Sequence, residues 1–129
     1  MLQYLLIAIG SALGGIGRYW LSGLVARLTG GLFPWGTVIV NVTGCLVIGV
    51  FATLTAPDGR VFVPGEWRQF VMIGICGGYT TFSSFALQTL TLAQGGEFVA
   101  AAGNILLSVV LCLVAVWLGH VLALQVNHG

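Results

Sequence analysis

The sequence predicts an all-α membrane protein with four transmembrane helices per subunit. Only seven of its 129 residues are charged, four basic and three acidic, whereas a soluble domain of this length would carry roughly thirty. Hydrophobic residues make up 58% of the chain, and the mean hydropathy is +1.07. A soluble monomer of this composition would expose large apolar patches and precipitate. The composition excludes a soluble enzyme and, with a net charge of only +1, it also excludes a nucleic-acid binder.

Four segments are long enough to cross a bilayer, which takes about 20 apolar residues as a helix. Their approximate bounds are 3–25, 35–55, 69–94 and 98–123. Because these spans take up most of the chain, we expect residues 1–129 to form a single transmembrane domain. Glycine is abundant, with 20 residues, and small residues let helix backbones approach closely in lipid. Four short helices hardly enclose a pathway alone, so we expect an oligomer.

The first span carries one charge, Arg18, within it or near its end. A basic side chain at this place either extends its charged group to the membrane interface or attracts anions into a vestibule. The sequence pattern leaves both interpretations open.

Polar side chains form a stripe along the second span and another along the fourth. Thr37 and Asn41 are four residues apart in the second span. An amide in hydrocarbon must be hydrogen-bonded or face a cavity, so Asn41 either joins two helices or lines a pathway. The fourth-span stripe allows the same two interpretations, and it consists of Asn104, Ser108 and Cys112.

The third span predicts a helix that is broken at mid-membrane. Its centre contains a glycine pair and four hydroxyl residues: Gly77, Gly78, Thr80, Thr81, Ser83 and Ser84. Paired glycines weaken a helix by about 1 kcal/mol each, and hydroxyls offer the backbone other partners. A break at this depth must face protein or water, and its freed carbonyls suit a hard cation. The alternative is a continuous helix whose hydroxyls bond the carbonyls four residues earlier.

Two aromatic residues lie beside these hydroxyls. Phe82 and Phe85 are three residues apart and share a helix face, a pattern that more often reflects core or lipid contact. The edge of an aromatic ring is electropositive, however. Two ring edges beside hydroxyl donors are therefore able to solvate a small anion.

The acidic residues indicate the sign of a transported ion. Asp58, Glu66 and Glu97 all lie in connections between spans. A proton-coupled exporter of cationic drugs needs an acid within the membrane. The sequence thus favours an anion pathway over the alternative of a small four-helix multidrug/proton exporter. A membrane subunit without transport activity is a third hypothesis.

The basic residues barely specify how the chain inserts. Lys and Arg beside the spans normally lie on the cytoplasmic side. Here Arg27 lies in the first connection, and Arg60 and Arg68 lie in the second beside two acids. Either the chain inserts one way by a small margin, or it inserts both ways, which would permit an antiparallel homodimer.

Three motifs together point to a family. They are Gly14-Gly15-Ile16-Gly17-Arg18-Tyr19, Gly36-Thr37-Val38-Ile39-Val40-Asn41-Val42-Thr43-Gly44-Cys45 and Gly74-x-x-Gly77-Gly78-Tyr79-Thr80-Thr81-Phe82-Ser83-Ser84-Phe85. In motif order, span number and length, the chain resembles the Fluc/CrcB fluoride channel family. The resemblance implies passive export of fluoride through two pores of an antiparallel, dual-topology homodimer in the cell inner membrane, with no enzymatic activity.

The resemblance also implies roles for individual residues in the fluoride pore. The rings of Phe82 and Phe85 would present their edges to the ion, and Asn41 would donate a hydrogen bond to it. The hydroxyls of Ser83 and Ser108 are similar to those of the family's polar track. Thr37, on the face of Asn41, is a further pore candidate.

A metal site follows from the same resemblance. The backbone carbonyls of Gly77 and Thr80, contributed by both subunits, would hold a structural sodium ion at the dimer interface. For Arg18 the two interpretations from its position in the first span, a vestibule or the membrane interface, stay open. The expected partners are therefore fluoride, sodium, a second copy of the chain and membrane lipid, and not nucleic acid.

Overall fold

The chain is helical almost throughout in the computed structural model, which describes residues 1–129. Helix α1 spans Leu2–Thr29 and α2 spans Trp35–Leu54, and the last helix, α6, spans Phe98–His128. Between α2 and α6 lies a composite segment, Gly65–Gln94, which we call the third segment. All four are long and apolar enough to cross a membrane. The predicted all-α class with four membrane helices is confirmed.

The third segment is a bent helix joined from several pieces. In order these are α3 (Gly65–Gln69), a π-helical stretch (Phe70–Cys76), α4 (Gly77–Tyr79) and α5 (Phe82–Gln94). Two residues with extended dihedral angles join α4 to α5: Thr80 (φ −83°, ψ 157°) and Thr81 (φ −149°, ψ 117°). We call Thr80 and Thr81 the extended pair. The preceding glycines keep helical geometry, so the chain changes direction at the threonines.

Glycines bring the helices together. Helix α2 packs most extensively against α6, and α1 packs against the π-helical stretch and α4. A Cβ atom on Gly119 of α6 would lie 2.5 Å from the carbonyl oxygen of Leu46, and one on Gly78 would lie 2.6 Å from that of Ser11. These gaps leave no room for a side chain, so both helix pairs depend on glycine for their spacing.

Two arginines between α2 and the π-helical stretch bind the ends of helices. Arg68 donates from Nη2 to the carbonyl of Ala52 at 3.2 Å, near the end of α2. Arg60 donates from Nη1 to the carbonyl of Val126 at 2.8 Å, near the end of α6. The last carbonyls of a helix lack helical donors and carry partial negative charge. The two bases therefore stabilise the C-terminal ends of α2 and α6, a role that counting charges did not reveal.

The surface of one chain is largely apolar. Only 20 of its 129 residues are buried, and large apolar side chains such as Ile16, Leu106 and Trp117 are exposed. A water-soluble protein would place most of these inside. The surface instead suits lipid or a second protein chain.

Candidate functional site

Asn41 of α2 holds the backbone of the extended pair. Its Nδ2 donates to the Thr81 carbonyl at 2.9 Å, and the Thr81 N–H donates to Asn41 Oδ1 at 2.7 Å. The side-chain amide thus satisfies both backbone groups of a residue with extended geometry, as a neighbouring strand would. An amide nitrogen carries two hydrogens, so the second one remains for another acceptor.

Among the carbonyls that lose their helical donors at the bend are those of Gly77 and Thr80. In a continuous α-helix, the Thr81 N–H would donate to the Gly77 carbonyl, and the Ser84 N–H would donate to the Thr80 carbonyl. Here the Thr81 N–H donates to Asn41, and the Ser84 N–H donates to Thr81 Oγ1 at 3.1 Å. Gly77 is also exposed on the surface of the chain. Hard cations prefer oxygen ligands, so these two carbonyls fit the sodium ligands that the resemblance implies.

The hydroxyl groups of this region have different partners. Thr80 Oγ1 donates to the Cys76 carbonyl at 3.0 Å, which is the bond expected for a continuous helix. Thr81 instead caps the start of α5 by accepting the Ser84 N–H. Ser83 is exposed, and its Oγ lies 3.4 Å from Thr81 Oγ1. Among the four hydroxyl residues, only Thr80 bonds the carbonyl four residues earlier, as the alternative interpretation of a continuous helix expected.

Arg18 contacts the third segment directly. Its Nε donates to the Gly78 carbonyl at 3.2 Å. Arg18 also lines a partly open cleft of about 1020 Å³ between α1, α2 and α5. Thr37, which is only 7% exposed, lies on the wall of the same cleft. A guanidinium in a recess of an otherwise apolar protein gives that recess a positive potential.

A row of polar side chains on α5 and on the residue just before it lines this cleft. Its members are Thr81, Ser84, Gln88 and Thr91. Intervals of three and four residues place them on one helix face. The buried Oε1 of Gln88 has no hydrogen-bond partner. Sequence reasoning did not single out Gln88 or Thr91, although this spacing was the signal that could have identified them.

The two predicted pore aromatics are in contact but differ in burial. The ring centroids of Phe82 and Phe85 lie 5.3 Å apart, with their planes at 57°. Phe85 is 8% exposed and Phe82 is 77% exposed. Phe85 therefore belongs to the core of the chain, whereas Phe82 lies on its outer surface, close to Ser83.

A buried chain of hydrogen bonds links α5 to α6. Ser108 Oγ donates to Asn104 Oδ1 at 3.2 Å, and Asn104 Nδ2 donates to Thr89 Oγ1 at 2.9 Å. Thr89 Oγ1 in turn donates to the Phe85 carbonyl at 2.8 Å. Asn104 is 1% exposed and Ser108 is 6% exposed. The fourth-span stripe thus packs against α5 within one chain, and Thr89 is the member that sequence reasoning missed.

The predicted site residues fall into two groups. Arg18, Thr37 and Asn41 surround the extended pair or its cleft. Ser108 belongs to the buried chain of hydrogen bonds, which ends at the backbone carbonyl of Phe85. Ser108 does not line the cleft.

Comparisons with known proteins agree on one family. A family profile described as CrcB-like protein, Camphor Resistance (CrcB), matches residues 5–120. Three similar relatives each carry the name fluoride-specific ion channel FluC. The relative from Rhodospirillum rubrum is 64% identical over 128 residues, which cover 99% of each chain. That from Paramagnetospirillum magneticum is 62% identical, covering 99% of this chain and 100% of the relative. That from Methylocella silvestris is 60% identical, covering 98% and 97%.

Proposed function

This chain belongs to the CrcB-like family, and from that membership we propose that it is a fluoride-specific ion channel. It is a multi-pass membrane protein and not an enzyme. The observation that carries the proposal is the identity of 64% with a fluoride-specific channel over 99% of both chains. The matched region of 128 residues extends through all four candidate spans.

The alternative of a drug/proton exporter lacks the group it needs. Glu66 lies in the first turn of α3, and Glu97 directly precedes α6. Asp58 lies in the connection between α2 and α3. No carboxylate is placed deep within a span, where it would bind a cation and exchange a proton. The polar groups near the bend are amides and hydroxyls, which are able to donate hydrogen bonds to an anion.

Fluoride is small and strongly hydrated, so its path must replace water with close hydrogen-bond donors. The free hydrogen of Asn41 Nδ2, the exposed Ser83 hydroxyl and the edges of Phe82 and Phe85 supply such groups without a fixed charge. Passage requires binding that is strong enough for entry and weak enough for release. Arg18 and Thr37, in the cleft, would attract and orient the ion before it enters.

The assignment of Ser108 requires a rearrangement. Its hydroxyl hydrogen is donated to Asn104 in the isolated chain. To donate to fluoride, the hydroxyl must rotate away from Asn104. The oxygen of Asn104 then needs another donor, because burying an unpaired polar atom is costly.

We propose that the working unit is an antiparallel, dual-topology homodimer in the cell inner membrane, with two pores. Two observations support this proposal. The basic residues barely favour either face of the membrane, and the surface of one chain exposes groups of the candidate site. The Phe82 ring is 77% exposed, and Ser83 and Gly77 are exposed close to it. Polar groups on a membrane-facing surface are costly, so a second subunit is a better neighbour for them than lipid.

A structural sodium ion between the subunits completes the proposal. The carbonyls of Gly77 and Thr80 would hold it, two from each subunit, because both lack their helical donors. A bound sodium ion would balance these carbonyl dipoles and keep the two bent helices in register.

The test is fluoride efflux from proteoliposomes that contain the purified protein. A channel moves fluoride as a charge, so efflux stops unless a cation leaves with it. We therefore expect efflux to begin when valinomycin makes the liposomes permeable to potassium. No proton gradient should be needed, and chloride-loaded liposomes should show no efflux. Drug/proton exchange would favour the exporter, and the absence of any flux would favour a subunit without transport activity.

A further inference from the structure

We propose that Asn41 and Thr81 are positioning residues for the cation site. Each side chain accepts a hydrogen bond from a backbone N–H. In a continuous helix, that N–H would donate to a carbonyl that we propose binds the cation. The inference rests on the proposed sodium site and assigns to these two side chains a role beyond contact with fluoride.

Asn41 keeps the Gly77 carbonyl free of its helical hydrogen bond. Its Oδ1 accepts the Thr81 N–H at 2.7 Å, and its Nδ2 holds the Thr81 carbonyl at 2.9 Å. Without these two bonds, both backbone groups of Thr81 would be unpaired in an apolar environment, which is unfavourable. The nearest remedy for the Thr81 N–H is its helical partner, the carbonyl of Gly77. Asn41 therefore keeps that oxygen available from a different helix.

Thr81 keeps the Thr80 carbonyl free of its helical hydrogen bond in the same way, by accepting the hydrogen bond itself. Its Oγ1 accepts the Ser84 N–H at 3.1 Å, the hydrogen that a continuous helix would direct at the Thr80 carbonyl. A hydroxyl at the position before a helix commonly accepts such a hydrogen bond. Of the amide hydrogens displaced at the bend, those of Thr81 and Ser84 have side-chain acceptors, and the carbonyls that these two would bond in a continuous helix are the proposed ligands.

An amide at position 41 satisfies both backbone groups of Thr81, because it accepts from the N–H and donates to the carbonyl at once. A carboxylate keeps only the acceptor for the Thr81 N–H, which is the bond that leaves the Gly77 carbonyl free, and an apolar side chain keeps neither. Since the second Nδ2 hydrogen remains free, Asn41 connects the cation site to the anion path through one side chain.

The experiment measures the melting temperature of the full-length, detergent-solubilised protein over a series of sodium concentrations. N-methyl-D-glucamine replaces sodium, so that ionic strength stays constant. An ion that binds only the folded protein raises its melting temperature. In Thr81→Val, which keeps the shape but loses Oγ1, we expect the midpoint of the sodium response to rise about tenfold. Thr81→Ser keeps the hydroxyl and should restore the midpoint.

A matched control removes a hydroxyl elsewhere. Thr29→Val loses a hydroxyl that donates to the Val25 carbonyl at the end of α1, and it should leave the sodium midpoint at the wild-type value. A rise as large as that of Thr81→Val would assign the effect to general destabilisation and overturn the inference.

Substitutions of Asn41 separate its two roles. Asn41→Leu should lose the sodium response, because both bonds to Thr81 disappear. Asn41→Asp retains an acceptor for the Thr81 N–H, so the sodium response should persist while the new negative charge blocks fluoride. If Asn41→Leu does not fold, the Thr81 variants carry the test.

Two further results would overturn the proposal. One is a wild-type sodium midpoint in Thr81→Val or in folded Asn41→Leu. The other is a wild-type protein that conducts fluoride but whose melting temperature does not respond to sodium, in which case the channel assignment stands and the inference fails. Loss of fluoride flux in the wild-type protein would instead contradict the proposed function itself.

Discussion

Asn41 and Asn104 are both amides within membrane helices, and the sequence allowed each of them to serve packing or transport. The structure gives them different surroundings. Asn104 is 1% exposed and bonds only side chains, namely those of Thr89 and Ser108. Asn41 bonds the backbone of Thr81 and is only partly buried, so its second amide hydrogen is accessible to an ion. Asn104 also has a second amide hydrogen, but it is enclosed, so at the scale of single residues Asn104 serves packing in the isolated chain.

Phe82→Ile tests the aromatic part of the pore. Isoleucine keeps an apolar side chain but loses the electropositive ring edge, so we expect fluoride efflux to fall to the rate of protein-free liposomes. Because Phe82 is 77% exposed in one chain, the fold should tolerate the change, and gel filtration should show an unaltered assembly. Leu90→Ile, at another exposed position of α5, is the control. Wild-type efflux in Phe82→Ile would contradict the pore assignment.

Asn104→Ala tests the buried hydrogen bonds between α5 and α6. The change removes two bonds and leaves the buried hydroxyl of Ser108 without a partner, at an expected loss of about 1–3 kcal/mol in unfolding free energy. Ser108→Ala removes only one bond and should lower stability less. Chemical unfolding in detergent measures both variants. Equal stability of Asn104→Ala and the wild type would show that these bonds contribute nothing.

Among the helical elements, the third segment departs most from its prediction in detail. The sequence directed attention to Gly77 and Gly78 as the weak point of the helix, yet both residues have helical geometry in α4. Gly78 instead provides space, because its Cα lies against the backbone of Ser11 in α1. The extended geometry falls on Thr80 and Thr81, where a side chain from α2 and a local hydroxyl replace the helical bonds.

Gly119→Ala tests the close contact between α2 and α6. The new methyl group would lie 2.5 Å from the Leu46 carbonyl oxygen and 2.9 Å from the Val50 nitrogen. Both are backbone atoms, so relief requires the helices to separate, at an expected cost of about 1–3 kcal/mol. Thermal unfolding in detergent measures this loss.

The matched control is Gly103→Ala on the same helix. Nothing lies within 4 Å of the added methyl group there, and alanine favours helix more than glycine does. We expect its melting temperature to equal or exceed that of the wild type. A similar loss in both variants would assign the effect to helix α6 as a whole and not to its contact with α2.

At the scale of the whole molecule, a single chain leaves part of its candidate site open. Its cleft is partly open, and the Phe82 ring and Gly77 lie on the outer surface.

The few basic residues of the chain also bind helix ends. Arg60 and Arg68 each donate a hydrogen bond to a carbonyl near the end of a helix. Two of the four basic residues therefore have a structural function in addition to any effect on orientation.

The dual-topology proposal predicts that the C-terminus is found on both sides of the membrane. Reporter domains fused after Gly129, one active only inside and one active only outside, should both give signal in cells. Three lysines inserted in the connection before Glu97 should drive the chain into one orientation and abolish fluoride export. Signal from only one reporter in the wild-type chain would contradict dual topology.

The sequence by itself determined the class of protein, the number of membrane helices and the motifs of the family. These properties depend on composition and on residues close together in the chain, which a single sequence displays directly. The tertiary structure alone decided the partners of the polar groups: Asn41 with Thr81, Asn104 with Thr89, and Arg60 with the end of α6. Such pairings join residues far apart in sequence, and they depend on how closely the helices pack, which hydropathy and spacing do not encode.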